Sequence, residues 1–296
     1  MLHAPMSGES RSSGLVLRSA RFALGRREAL AAAAVLPFGW ACSRSPSPRE
    51  ASSAACLLSP ENVEGPFYVD DARVRSDLRE DRRGVPLVLD AAVVDARTCA
   101  PLAGAAVDIW HCDAAGAYSG FVEDGMRPPL PGGPGGGRPP GGPGGRRPPG
   151  PRRFDPDHPP PRPHPTDAAR FLRGVQLTDA AGRVRFTTLY PGWYAGRAVH
   201  IHVRVRVGGA ARGETYDGGH VAHTGQLFFP EAVSDAVFTR APYAAHAGRR
   251  TLQTEDGIFG RDGSGGMLAL QADGGDGYTA RTTMGIDRAA ARVPMR

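Results

Sequence analysis

The chain has 296 residues, 41% of them hydrophobic, and a formal net charge of +6 in which every basic residue is arginine. That length can bury the core of one large domain with appendages. The arginines are scattered or sit in a Pro/Gly-rich stretch with almost no aromatics, which argues against a nucleic-acid partner, and the absence of lysine reads as genome bias.

Residues 1–42 read as an export signal. Gly25, Arg26, Arg27 and Glu28 end an arginine-containing leader, and the apolar run from Ala29 to Phe38 is too short to span a bilayer as a mature helix. Paired arginines before such a run resemble a twin-arginine signal; an ordinary secretory signal would lead to the same compartment. The expected location is periplasmic or extracellular. Cys42 is a candidate lipid-attachment site, although bulky Trp40 fits that role poorly, and membrane contact is expected only if Cys42 is lipidated. Cys56, Cys99 and Cys112 then remain, enough for one disulfide and one free thiol, with the pair unspecified.

Residues 43–60 form a Ser/Pro/Ala-rich tether, and residues 61–290 a single domain. Glu64 to Tyr68 (EGPFY) is a turn-rich segment expected to pack on that domain. Val85 to Asp95 has little polar content and reads as a strand interior to a sheet. With Ala105 to Trp110 it is expected to make a β-hairpin. The loop HCDAAGAYSGF that follows carries Tyr118, and loops at sheet ends are where site residues usually sit. Residues 127–166 are a Pro/Gly/Arg-rich insert unable to bury an apolar face, expected as a tolerated surface insertion.

Phe171 to Thr178 and Val184 to Thr188 read as a second hairpin about the turn Asp179 to Gly182. The stretch Tyr190 to His202 (YPGWYAGRAVHIH) then runs into VRVRV, so polar and apolar residues alternate from His200 to Val207. Period two marks a strand with Ile201, Val203, Val205 and Val207 facing a core and His200 and His202 on the opposite face. Two imidazoles two residues apart can reach one metal ion, but His-x-His alone is equally the polar face of an ordinary strand. A Gly-rich loop holding Tyr216, His220 and His223 is expected next, then a strand Thr224 to Phe229 with Gln226 opposite Leu227 and Phe229. Glu231 to Phe238 reads as a short helix, and Met267 to Ala272 and Tyr278 to Ile286 as closing strands. Many short strands and few short helices predict an all-β fold, an antiparallel β-sandwich with site loops at one end.

The blocks EGPFY, WHCDAAGAYSGF, FLRGVQLTDAAGRVRF, YPGWYAGRAVHIHV and HTGQLFF together resemble the intradiol ring-cleavage dioxygenases, the catechol 1,2- and protocatechuate 3,4-dioxygenases, and most closely their exported relatives. The resemblance covers the mature chain apart from the insert. It implies one Fe(III) per chain, held by Tyr118, Tyr194, His200 and His202, with Tyr190 as the competing tyrosine. It implies catalytic roles for Arg197, in an Arg-x-x-His arrangement, and for Gln226. A catechol-type substrate would be cleaved between its hydroxylated carbons with O2 to a muconate-type diacid. Phenolate oxygen is a hard ligand suited to ferric iron. The competing reading is an exported β-sandwich module that binds a metal or an aromatic without catalysis. A homodimer is compatible with the sequence, which does not specify the oligomeric state.

Overall fold

The computed structural model describes residues 57–122 and 164–292. Among them are the strands β1 (Pro86–Asp95), β2 (Ala106–Trp110), β3 (Arg173–Leu177), β4 (Arg183–Leu189), β5 (His200–Arg212), β6 (Thr215–Phe228), β7 (Ala269–Ala272) and β8 (Tyr278–Ile286), and the helix α1 (Glu231–Phe238). They form two four-stranded sheets, ordered β4-β1-β8-β7 and β3-β2-β5-β6. Pairing is antiparallel except between β1 and β8. The core lies where the apolar faces of the sheets meet. Leu87, Leu89, Ala91 and Val93 of β1, with Phe186, Ala280 and Met284, share a buried cluster with Val107, Ile109, Ile201, Val203 and Val205. Burying each large side chain there stabilises the fold by about 1.5–3 kcal/mol.

Neither expected hairpin forms. β1 lies interior to its sheet, between β4 and β8, as its low polarity predicts, while β2 pairs with β3 and β5. β3 and β4 likewise belong to opposite sheets, so both connections cross between the layers. Each strand has one strongly apolar face, and such faces can be buried by packing across the sandwich as well as by pairing side by side. The turn between β3 and β4 is as tight as a hairpin turn, with the Asp179 N–H donating to the Arg183 carbonyl at 2.9 Å. It packs against β1: a Cβ on Gly182 would lie 2.5 Å from the Val93 carbonyl oxygen, and its φ is +71°.

The expected Gly-rich loop after Val207 is strand instead. β5 and β6 form a long hairpin in which Tyr216 lies over Gly209, whose N–H donates to the Tyr216 hydroxyl at 2.9 Å. A Cβ on Gly209 would come within 2.5 Å of that hydroxyl, so glycine here admits a tyrosine and does not interrupt the ladder.

The outer face of the β3-β2-β5-β6 sheet is also buried. Residues 61–78 run across it: the Asn62 N–H donates to the Thr224 carbonyl, Val74 bridges Val175, and Gly65 lies against the His202 ring. The polar side of β5 is therefore a second buried layer. The Arg204 guanidinium pairs with the fully buried Glu64 carboxylate and lies 3.8 Å over the Tyr68 ring. Tyr68 in turn donates to Asp108 at 3.1 Å.

Contacts begin slightly before residue 61, since Leu58 bridges Gly285 and the Ser59 N–H donates to the Gly285 carbonyl. Cys99 is disulfide-bonded to a partner outside the described residues, and Cys112 keeps a free, buried thiol. The export signal, Cys42, Cys56 and the insert up to residue 163 also lie outside the described residues.

Candidate active site

His200 and His202 occupy the first turn-proximal positions of β5, flanked in register by Trp110 of β2 and Gln226 of β6, both opposite His202. The His202 ring stacks on the Trp110 indole at 4.9 Å with planes 4° apart. The His200 and His202 Nε2 atoms face each other at 3.0 Å, and the Tyr194 hydroxyl lies 3.3 Å from His200 Nε2. His200 Nδ1 is 2.6 Å from the Ala198 carbonyl. That carbonyl can only accept, so Nδ1 carries the proton and Nε2 keeps its lone pair.

Tyr118 comes from the loop after β2. Asp113 shapes that loop by accepting from the Ala115 and Ala117 N–H groups at 2.9 and 3.0 Å. The neighbouring Ser119 hydroxyl donates to the Phe171 carbonyl and accepts from Arg173 Nε. Tyr118 stacks on Phe67 at 4.5 Å, with ring centroids 5.8 Å from Tyr194 and 6.2 Å from His202. Its buried hydroxyl makes no well-formed hydrogen bond, although the Tyr194 hydroxyl is close enough to perturb it. Tyr190 points elsewhere, into the core, with its hydroxyl 2.8 Å from Ser234 Oγ and its carbonyl accepting from Tyr243.

Burial governs the charge states. Desolvation holds both imidazoles well below the usual histidine range, so they are neutral. It also raises the phenols, Tyr118 well above its usual range and Tyr194 to about 12. The pocket thus brings together two neutral phenols and two neutral imidazoles whose Nε2 atoms meet 3.0 Å apart. A cation there would accept lone pairs from both Nε2 atoms, displacing the proton between them, and would lower the phenol pKa values. Two hard oxygens with two imidazoles fit a ferric ion. Among the described residues no group of three or more His, Cys, Asp or Glu side chains is placed to hold a metal, so a site here needs its tyrosines.

Arg197 stands beside this cluster. Its guanidinium donates through Nη2 to Gln226 Oε1 and through Nε to Asp256 at 3.1 Å, and Gln226 Nε2 donates to the Val63 carbonyl at 2.9 Å. A cleft of about 440 Å³ reaches Tyr194 and is lined by Gly116, Phe121, Trp193, His246 and Arg249. A larger groove of about 790 Å³ lies on the outer face of the other sheet, around Asp90, Arg185 and Arg281, away from this cluster. His111 is fully buried and bonded to the Cys112 carbonyl and Thr188, a packing role.

Sequence reasoning passes over Asp256. It stands 59 residues beyond Arg197 in a segment without strand periodicity, and only the fold joins them. The burial of Glu64 was equally hidden, though its place in EGPFY was a signal.

A family model described as dioxygenase matches residues 61–132. Comparison with curated proteins gives no match. Among solved structures, the chain is similar to an intradiol ring-cleavage dioxygenase from Tetranychus urticae, at 32% identity and a TM-score of 0.62, over 81% of this chain and 99% of that one. A second dioxygenase crystal structure is also 32% identical, with a TM-score of 0.63, over 80% of this chain and 97% of that one. With near-complete coverage of a relative at that identity, the chain belongs to the intradiol ring-cleavage dioxygenases.

Proposed function

We propose that the protein is a non-haem Fe(III) enzyme that cleaves a catechol-type aromatic between its two hydroxylated carbons with O2, giving a muconate-type diacid. Enzymes of this family generally depend on non-haem iron. The observation that carries the ligand assignment is that His200 Nε2 meets His202 Nε2 at 3.0 Å and the Tyr194 hydroxyl at 3.3 Å, beside the buried Tyr118 hydroxyl. Tyr118, Tyr194, His200 and His202 would hold one iron per chain. When bound, ferric iron supplies Lewis acidity that lets phenol and catechol oxygens bind as anions.

The chain's own residues supply the rest. Trp110 stacks on the His202 ring, Gly65 packs against its Cε1, and the Ala198 carbonyl fixes the His200 tautomer. Tyr194 lines the cleft, whereas Tyr118 does not, so Tyr194, ionised by the iron it would help hold, is the phenolate positioned to meet an incoming catechol and take up its proton. Arg197, held between Gln226 and Asp256, presents positive charge where negative charge develops on the ring. Gln226 orients that guanidinium. The aromatic wall of Phe67, Phe121 and Tyr118 keeps bulk water from the ring.

This chemistry suits an exported enzyme, since neither flavin nor nicotinamide nor external reductant is required outside the cytoplasm. Oxygen uptake tests the activity: one O2 consumed per catechol supports it, and catechol turnover without O2 uptake contradicts it. Fractionation of expressing cells tests the location, with signal-cleaved protein expected outside the cytoplasm and full-length cytoplasmic protein as the contrary result.

A further inference from the structure

Asp256 is a buried carboxylate on the segment between α1 and β7, and two of the groups it binds, on Arg197 and Ala198, lead to the site. It accepts from Arg197 Nε at 3.1 Å, from the Ala198 N–H at 2.9 Å and from the Ile258 N–H at 2.8 Å. The Arg197 contact holds one edge of the guanidinium while Gln226 holds Nη2. The Ala198 contact holds the residue whose carbonyl meets His200 Nδ1 at 2.6 Å. One carboxylate therefore anchors both the positively charged group beside the ring pocket and the backbone that orients a histidine.

We propose that Asp256 is a positioning residue for ring cleavage, acting through Arg197. This rests on the assignment of Arg197 and His200 to the site given above. A guanidinium clamped at Nε and Nη2 turns its remaining N–H groups one way only, and charge stabilisation depends on that aim being set before reaction. Without Asp256, Arg197 keeps its charge and loses its direction. A buried acid that only balanced charge would have no need to bind the Ala198 N–H as well.

The test is a double-mutant cycle on the iron-loaded protein with Arg197→Ala, Asp256→Asn and the pair, reading O2 uptake with catechol. Asp256→Asn is expected to lower kcat by about 10–100-fold, the loss typical of removing an orienting partner, with iron content per chain and the visible band unchanged. The double variant is expected to be no slower than Arg197→Ala alone. Losses that multiply, or an unchanged kcat in Asp256→Asn, would overturn the proposal. A second readout needs neither turnover nor a folded variant: in the metal-free wild type, Arg197 Nε–H should give a slowly exchanging 15N resonance. Rapid exchange there contradicts the clamp. If the wild type consumes no O2 with catechol, the dioxygenase reading has failed, and this resonance alone then decides whether Asp256 fixes Arg197.

Discussion

The Nε2 atoms of His200 and His202 lie 3.0 Å apart, with His200 Nδ1 committed to the Ala198 carbonyl. In the metal-free protein His202 Nε2–H can donate to the lone pair on His200 Nε2, and a metal held by both nitrogens would take the place of that proton. Their position follows from strand geometry, since residues two apart share a face. The His202 ring is held by Trp110, which stacks flat on it, and by Gly65, where a side chain would crowd its Cε1.

Removing the unpartnered phenol should separate metal binding from folding. Tyr118→Phe keeps the stacking on Phe67 and deletes a buried hydroxyl without a hydrogen bond. The metal-free variant is expected to be at least as stable as the wild type, because an unsatisfied buried polar group costs about 1–3 kcal/mol. The iron-loaded variant should lose ring-cleaving activity. His200→Ala should lose activity and iron together. Denaturant unfolding, iron analysis and O2 uptake check these outcomes, and a fully active Tyr118→Phe would remove Tyr118 from the ligand set.

Acid should destabilise the metal-free fold. Burial lowers both His111 and His223 to about 4, below the unfolded value of about 6.5. Each group's contribution is complete above the unfolded value and is lost as pH falls through about 4. It amounts to on the order of 3 kcal/mol per group. Asp108, raised to about 7 by burial, works in the opposite sense, its contribution being lost as pH rises through that value. Unfolding free energies measured from pH 7 to pH 4 should therefore fall, and His223→Asn should flatten the fall. An equally steep profile in that variant would contradict the assignment.

The buried Glu64–Arg204 pair predicts a stability defect rather than a catalytic one. Glu64→Gln leaves the Arg204 charge buried against Tyr68 with its partner gone. Breaking such a pair costs about 3–5 kcal/mol. Thermal and denaturant unfolding should show the loss, while any folded fraction keeps its iron. A variant as stable as the wild type would mean that the pair contributes nothing net.

The long Pro/Gly/Arg-rich insert should be dispensable if its flanks are kept. Thr166 donates its N–H to the Gly120 carbonyl at 2.7 Å, and Asp167 accepts from the Gly120 and Val122 N–H groups at 3.1 and 2.6 Å. The two ends are therefore stapled beside Tyr118. Deleting residues 127–163 with a short Gly/Ser joint should leave iron binding intact, measured as iron per chain. Extending the deletion through Asp167 should not be tolerated. Loss of metal in the shorter deletion would refute the view of the insert as a surface addition.

Much of this molecule was legible in its sequence because the relevant signals are local. The alternation from His200 to Val207 marks the core face of β5, and Glu231–Phe238 forms the short helix that its composition suggests. What could not be read was which strand sits beside which. The turn at Asp179 to Gly182 has hairpin chemistry, yet it links the two sheets, because the choice between side-by-side pairing and face-to-face packing depends on distant strands. The glycines near Val207 suggest a loop, but Tyr216 fills the space over Gly209 and carries the ladder through. The candidate cluster was legible as residue types at characteristic spacing. Asp256 was not, since nothing in the sequence joins it to Arg197 until the chain folds.

The most direct test of the central claim is the visible spectrum of the purified, iron-loaded protein before and after anaerobic addition of catechol. Tyrosine bound to ferric iron gives a broad charge-transfer band, and the account predicts that band in the resting protein, shifting when catechol binds and absent from His200→Ala. A protein that stays colourless after ferric loading, or whose colour persists in His200→Ala, would contradict the assignment of Tyr118, Tyr194, His200 and His202 as the iron site.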